Sequence, residues 1–201
     1  MAVEPIAFFD VKLSCSFRAF YSLFGYGFYP VGSYDADYVP REKGKGLNSL
    51  GFRVSAAPTL NFAFGRIVAV DSLSFTWIHM ASLGPSISEE FYVEPVSNAV
   101  MKLRDFSLTN KVYLMYEAGE LFFRRTDREL LFGINHYYFT VPRSGYTSSR
   151  ISLAGLFSVP LGEKTDLTSV LLVGLFLKDG YYSIEEGKIY AAAQTAVKWR
   201  L

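Results

Sequence analysis

The sequence is short of most of the groups from which active sites are built. It has one cysteine, Cys15, so no intrachain disulfide can form and no thiolate-ligated metal site can be assembled. Histidines number two, His79 and His136. No phosphate-binding loop, dinucleotide fingerprint, nucleophile elbow or metal-ligand spacing occurs. Charge of one sign is not in excess either. With 20 Lys and Arg against 19 Asp and Glu, the net charge of +1 gives no field that would gather nucleic acid. Long apolar runs are missing too: no stretch of 18 or more apolar residues offers a transmembrane helix. The expectation is a chain with no metal, no cofactor, no nucleic-acid partner and no catalytic residue.

What the chain has in quantity is apolar and aromatic surface, 50% and 17% of its residues, for a mean hydropathy of +0.18. A positive hydropathy without spanning helices fits strands that are apolar on one face only. Residues 9–21 set the pattern. Phe9, Val11, Leu13, Cys15, Phe17, Ala19 and Tyr21 alternate with Asp10, Lys12, Ser14, Ser16 and Arg18. A strand sends successive side chains to opposite faces, so this is one strand with an apolar and a polar side. It is longer than the usual strand of a soluble domain, about 5–6 residues, and suits a tilted bilayer span. Cys15 falls on its apolar side and reads as a small hydrophobe.

The signature recurs. Leu50, Phe52, Val54, Ala56, Leu60, Phe62 and Phe64 oppose Arg53, Ser55, Thr59 and Asn61, with Pro58 expected to force a bulge or local distortion. Leu73, Phe75 and Trp77 alternate with Ser72, Ser74 and Thr76 after a turn at residues 65–66 or 71–72. Further strands are expected over residues 108–117, 130–139, 150–161, 167–178 and 189–201, the one at 167–178 being apolar on both faces and poorly phased. Phe24, Tyr26, Phe28 and Tyr29 form an aromatic collar of interfacial type. Eight strands follow, with loops over about 30–46 and 83–105, medium ones at 142–149 and 179–187, and short turns at 65–72, 119–128 and 162–166. Residues 1–201 read as one domain.

Residues 189–201 carry a resemblance. Val197, Trp199 and Leu201 stand at alternate positions on the last strand, which looks like the carboxy-terminal insertion signal of bacterial outer-membrane β-barrel proteins. That family usually ends on Phe, where this chain has Leu201. The architecture is similar to the small, eight-stranded members: an all-β, antiparallel transmembrane β-barrel. The resemblance implies a Gram-negative outer-membrane location after loss of a signal peptide, and termini on the periplasmic side. It also implies the barrel-insertion machinery, outer-membrane lipid and lipopolysaccharide as partners. A soluble lipocalin-like barrel, with its apolar faces inward, is the competing fold.

With polar faces inward, the lumen is expected to hold Lys12, Arg18, Arg53, Lys111, Arg150, Lys198 and Arg200 against Asp10 and Glu117. Closure would set Asp10 and Lys12 beside Lys198 and Arg200. Buried ions need pairing or water, so this cationic excess implies water and a partial passage. Tyr113, Met115, Leu131, Tyr137, Leu156 and Phe176 point the same way and narrow it. The expected function is a narrow passive, porin-like channel or uptake protein for small solutes. The alternative is a structural or surface-interaction barrel with a plugged lumen. A lesser one is a lipid A-modifying enzyme, for which His79, His136 and Asn110 stand at comparable heights on the lipid-facing side. That reading lacks a serine at neighbouring strand spacing and a clearly placed carboxylate.

Overall fold

The structure, a computed structural model, describes residues 6–20, 29–31, 47–82, 91–93, 99–118, 129–162, 165–179 and 187–199. Among them run β1 (Ile6–Phe20), β2 (Tyr29–Val31), β3 (Ser49–Phe64), β4 (Ile67–Ser82), β5 (Phe91–Val93), β6 (Val100–Lys102), β7 (Arg104–Glu117), β8 (Glu129–Val141), β9 (Tyr146–Gly162), β10 (Thr165–Asp179) and β11 (Ile189–Trp199). The eight long strands form one antiparallel sheet in the order β1-β3-β4-β7-β8-β9-β10-β11. Each long strand lies beside its neighbour in sequence, and the sheet curls into a half-barrel.

Alternation in sequence becomes two chemically different faces because the registers keep it in phase across the sheet. One row crosses all eight strands: Phe9, Leu60, Asp71, Val112, His136, Ile151, Leu175 and Ile189. It belongs to the outer face, where Leu13 is 76% exposed, Phe17 87% and Ile189 76%. The next row belongs to the inner, concave face: Asp10, Thr59, Ser72, Lys111, Tyr137, Arg150 and Phe176. Short hydroxyl bridges link neighbouring strands on this side, Ser14 to Ser55 at 2.6 Å, Thr59 to Ser72 at 3.0 Å and Ser158 to Thr168 at 3.2 Å.

The turn between β3 and β4 falls at Gly65 and Arg66, with Gly65 at φ 59°, a backbone region that glycine enters without a Cβ clash. Pro58 makes no bulge. The β3–β4 register is the same on both sides of it, Ala56 opposite Phe75 and Thr59 opposite Ser72, and only the pairing between them is interrupted. A proline removes one ladder donor, and here the chain tolerates that loss without inserting a residue.

Several boundaries differ from the sequence expectation. β7 begins at Arg104 rather than at 108, and β9 at Tyr146 rather than at 150, leaving a tight turn over residues 142–145. Ser144 N donates to the Val141 carbonyl at 3.1 Å and Gly145 adopts φ 68°, so turn chemistry occupies only the first half of the expected loop. β10 is the strand the sequence phased poorly, and it carries register shifts at Thr165/Asp166 and Phe176/Lys178. The collar residues Phe24, Tyr26 and Phe28, most of the 30–46 loop, the 119–128 connection, Arg200 and Leu201 lie outside the described residues.

The two long loops contain structure of their own. β2, β5 and β6 make a three-stranded sheet in the order β2-β5-β6. Tyr92 and Met101 of this sheet, with Ala99 just before β6, pack with Ile78 and Met80 of β4, Phe139 and Val141 of β8, and Tyr146 of β9. All of these long-strand residues lie on the inner face at the loop end of the sheet. The small sheet therefore fills the concavity there, with Tyr92 and Ala99 at 0% exposure. Met80 N donates to the Leu103 carbonyl at 2.7 Å, and the buried Asp105 carboxylate accepts from the backbone N–H groups of Lys102 and Phe106, each at 2.9 Å. These bonds fasten the cap to β4 and β7.

Closure is where the structure departs most from expectation. Among the described residues β1 pairs only with β3 and β11 only with β10, so no ladder joins the two edges. Asp10 stands opposite Thr59 in the β1–β3 ladder, and Lys198 opposite Asp166 in the β10–β11 ladder. Alternation along a strand specifies a face, and the partner across the seam is set by curvature.

Candidate functional site

The inner face below the cap is where the charged residues singled out from the sequence meet. The registers put Asp10, Lys12, Arg18, Arg53, Lys111, Glu117 and Arg150 on that one face. Lys198 is the register partner of Asp166; Arg200 falls outside the described residues. The same face also carries Asp105, Glu129 and Asp166, three carboxylates that the sequence reading did not count. Glu129 and Asp166 sit beside the short turns, where alternation ran into connecting segments and gave no phase. Asp105 was missed because it lies in what looked like loop. These acids reduce the expected cationic excess without removing its local form.

That local form is a cluster between β7 and β10. Lys111, Tyr137, Arg150 and Phe176 follow one another across a single transverse row. The Arg150 guanidinium carbon lies 4.1 Å from the Tyr137 ring centroid, 5.4 Å from that of Tyr190 and 5.9 Å from that of Phe176. Lys111 Nζ is 5.9 Å from the same Tyr137 centroid. Arginine stacks on aromatic faces without giving up its in-plane donors. The bulky inward residues expected from sequence thus hold the cations in place as well as narrowing the space. Arg53 is set apart toward the loop end, donating to Thr76 Oγ1 at 3.3 Å.

On the next row Asn135 is 2% exposed. Its amide donates to the Val112 carbonyl at 3.1 Å, and its oxygen accepts from Ser152 Oγ at 3.4 Å. A fully engaged buried amide fixes the floor of the cluster. Between these rows and β11 opens a cavity of about 480 Å³ lined by Lys111, Tyr113, Asn135, Tyr137, Arg150 and Tyr190 among others.

The histidines belong to the outer face, and the structure corrects how they were grouped. His79 is the partner of Arg104, whereas Asn110 is the partner of Leu73, so the two stand six residues apart along the strands. His79 lies in an aromatic patch instead, 5.3 Å from Phe52 and 6.1 Å from Trp77 by ring centroids. His136 does have a serine at neighbouring strand spacing: its Nε2 is 3.0 Å from Ser149 Oγ. The sequence reading placed Ser149 in a loop, and the early start of β9 brings it opposite Tyr138, one diagonal from His136. Asp71, on the same row two strands away, accepts from the Asn110 amide at 2.6 Å rather than from His136. A serine within reach of an imidazole is a nucleophile–base pair in outline.

Among the described residues no three of His, Cys, Asp and Glu gather closely enough to hold a metal ion. Comparison with known proteins adds no relative: no family model, no curated protein and no solved structure matches the chain.

Proposed function

We propose that the chain is an integral outer-membrane β-barrel protein providing a narrow, passive uptake route for small solutes. One observation carries the membrane part: the outer face exposes large apolar side chains on all eight long strands, from Phe9 and Phe17 of β1 through Phe75, Leu114, Phe132, Leu153 and Leu171 to Ile189 and Val197 of β11. A contiguous apolar surface of that extent has no place in water, and a bilayer covers it. Outer-membrane lipid, including lipopolysaccharide, and the barrel-insertion machinery are the partners this reading entails. The polar inner face supports a wetted interior, and the cap over its loop end supports a gated route rather than an open pore.

Planar-bilayer recording of the refolded protein tests this reading. The expected result is a small, anion-favouring conductance that shrinks in Arg53→Ala and grows when Tyr92→Ala loosens the cap. A barrel that stays silent in all three forms would leave surface interaction through the 30–46 and 83–105 loops as the role. A protein that remains monomeric and soluble without detergent would remove the membrane reading itself.

A second reading rests on the Ser149–His136 hydrogen bond on the lipid side. The pair supports acyl-ester chemistry on a membrane lipid such as lipid A, with Ser149 as nucleophile and His136 as base. Lipid A acylation compared by mass spectrometry between cells carrying wild type and His136→Ala checks it. Identical profiles eliminate the enzyme.

A further inference from the structure

We infer that the cavity between β7 and β11 is a binding site for a small organic carboxylate with a compact aromatic or apolar body. The inference rests on the uptake reading above and names the solute class that its inner face would select.

The cavity, about 480 Å³, falls in the range of small-molecule sites, roughly 300–1,000 Å³. Its charge is of one sign. Lys111 and Arg150 line it together with tyrosines, amides and aliphatic side chains, and no Asp or Glu is among the lining residues. Neither cation has an ion-pair partner among the described residues, although carboxylates do share the face. Glu117 lies six residues along β7 from Lys111, toward the turn end, and Asp10 is three strands away on the same row. Lys111 is exposed and Arg150 half-buried, yet both stand beside the one Tyr137 ring, and two like charges on one concave wall favour an anion between them.

The aromatic arrangement decides what kind of anion fits. Tyr137 stacks on the guanidinium plane of Arg150 at 4.1 Å, and Tyr190 and Phe176 crowd its flanks. Arg150 also hydrogen-bonds the Tyr137 side chain, and because a guanidinium carries five N–H donors, one such bond leaves others to meet a carboxylate. Tyr190, backed by Phe176 at 5.1 Å between ring centroids, joins Val170, Leu172, Ala192 and Ala193 in an apolar part of the wall, beside the amides of Asn135 and Gln194. Inorganic phosphate or sulfate would satisfy the cations and leave this wall in contact with water. A carboxylate carrying a ring satisfies both.

Benzoate is the probe. Binding to the refolded protein in detergent micelles is measured by equilibrium dialysis of labelled benzoate, with benzamide and inorganic phosphate as competitors. Saturable binding is expected, displaced weakly by either competitor. Arg150→Gln should weaken it roughly tenfold or more, as loss of a charge-assisted hydrogen bond implies. Lys111→Gln should also weaken it, and Arg53→Gln, outside the cavity, should not. Arg150→Lys keeps the charge without the planar fork, and binding intermediate between wild type and Arg150→Gln is expected. Lys111→Gln carries the test alone if the Arg150 variants do not fold. Equal affinity in wild type and Lys111→Gln, or displacement by benzamide as effective as by benzoate, would overturn the assignment. Because the measurement needs no conductance, a silent bilayer with intact benzoate binding would count against the uptake route and not against the site.

Discussion

At the residue scale the two faces of the sheet are held to different tolerances, and glycine shows where. A Cβ at Gly174 would run into the Ile151 carbonyl oxygen and lie 2.6 Å from the Ser152 Cα. A Cβ at Gly133 would meet the Leu114 carbonyl oxygen and come within 2.8 Å of the Met115 Cα. Both contacts are with backbone of the neighbouring strand, which cannot rotate out of the way, so a methyl group there forces strands apart. Gly155 has nothing within 4 Å of the same position. Gly174→Ala is expected to lower stability by about 1–3 kcal/mol, as overpacking does. Gly155→Ala is expected to change it by no more than about 0.5 kcal/mol. Urea unfolding in lipid vesicles, followed by tryptophan fluorescence, distinguishes the two, and equal midpoints would refute the close approach. None of this was legible in the sequence. A glycine inside an alternating run announces a missing side chain and does not tell which neighbour presses on it. The shared face of Asp10, Lys12, Arg18, Arg53, Lys111, Glu117 and Arg150 was legible because period 2 assigns a face wherever strand identity is secure. Ser149 was not, since Pro142, Gly145 and the hydroxyl residues around them read as turn until the ladder shows β9 already under way.

At the scale of elements, strand number and order were readable because the long strands announce themselves by alternation and by the turn residues at their ends, with β10 marked by its turns alone. The eight strands expected from sequence correspond to β1, β3, β4 and β7–β11, in the simplest antiparallel order. The cap was not readable. β2, β5 and β6 are three residues each, too short for periodicity to register. A signal did exist in hindsight: Tyr92-Val93 and Ala99-Val100-Met101 are apolar clusters inside otherwise polar, Glu- and Pro-containing segments. An apolar cluster inside a long surface loop needs somewhere to be buried, and Ile78, Met80, Phe139, Val141 and Tyr146 present an apolar surface facing inward at that end. The cap and the inner faces of β4, β8 and β9 thus form a core that no single segment could make. Below it the inner face turns polar, and this change of character along the same strands separates the capped end from the cationic cavity.

At the scale of the whole molecule the decisive quantity is the pair of open edges. β1 contributes 15 residues and β11 contributes 11, each with one edge unpaired among the described residues. In water such edges are solvated, and a soluble protein could keep them. In hydrocarbon each unsatisfied N–H or C=O costs several kcal/mol, so an open sheet of this length cannot stand in a bilayer. The same sheet in lipid must therefore complete its ladder. Eight strands are enough to close a barrel whose interior side chains can fill, and the polar inner face with its bulky Tyr113, Tyr137 and Phe176 suits that diameter. The expected outcome is that β1 and β11 pair with each other within one chain. Hydrogen–deuterium exchange in lipid vesicles should then show the β1 and β11 amides as slow as those of β4, with one copy per particle by native mass spectrometry. Slow exchange with two copies per particle would mean that the edges pair between chains. Fast exchange along β1 in lipid would mean that the ladder is never completed, and the membrane barrel would fall with it.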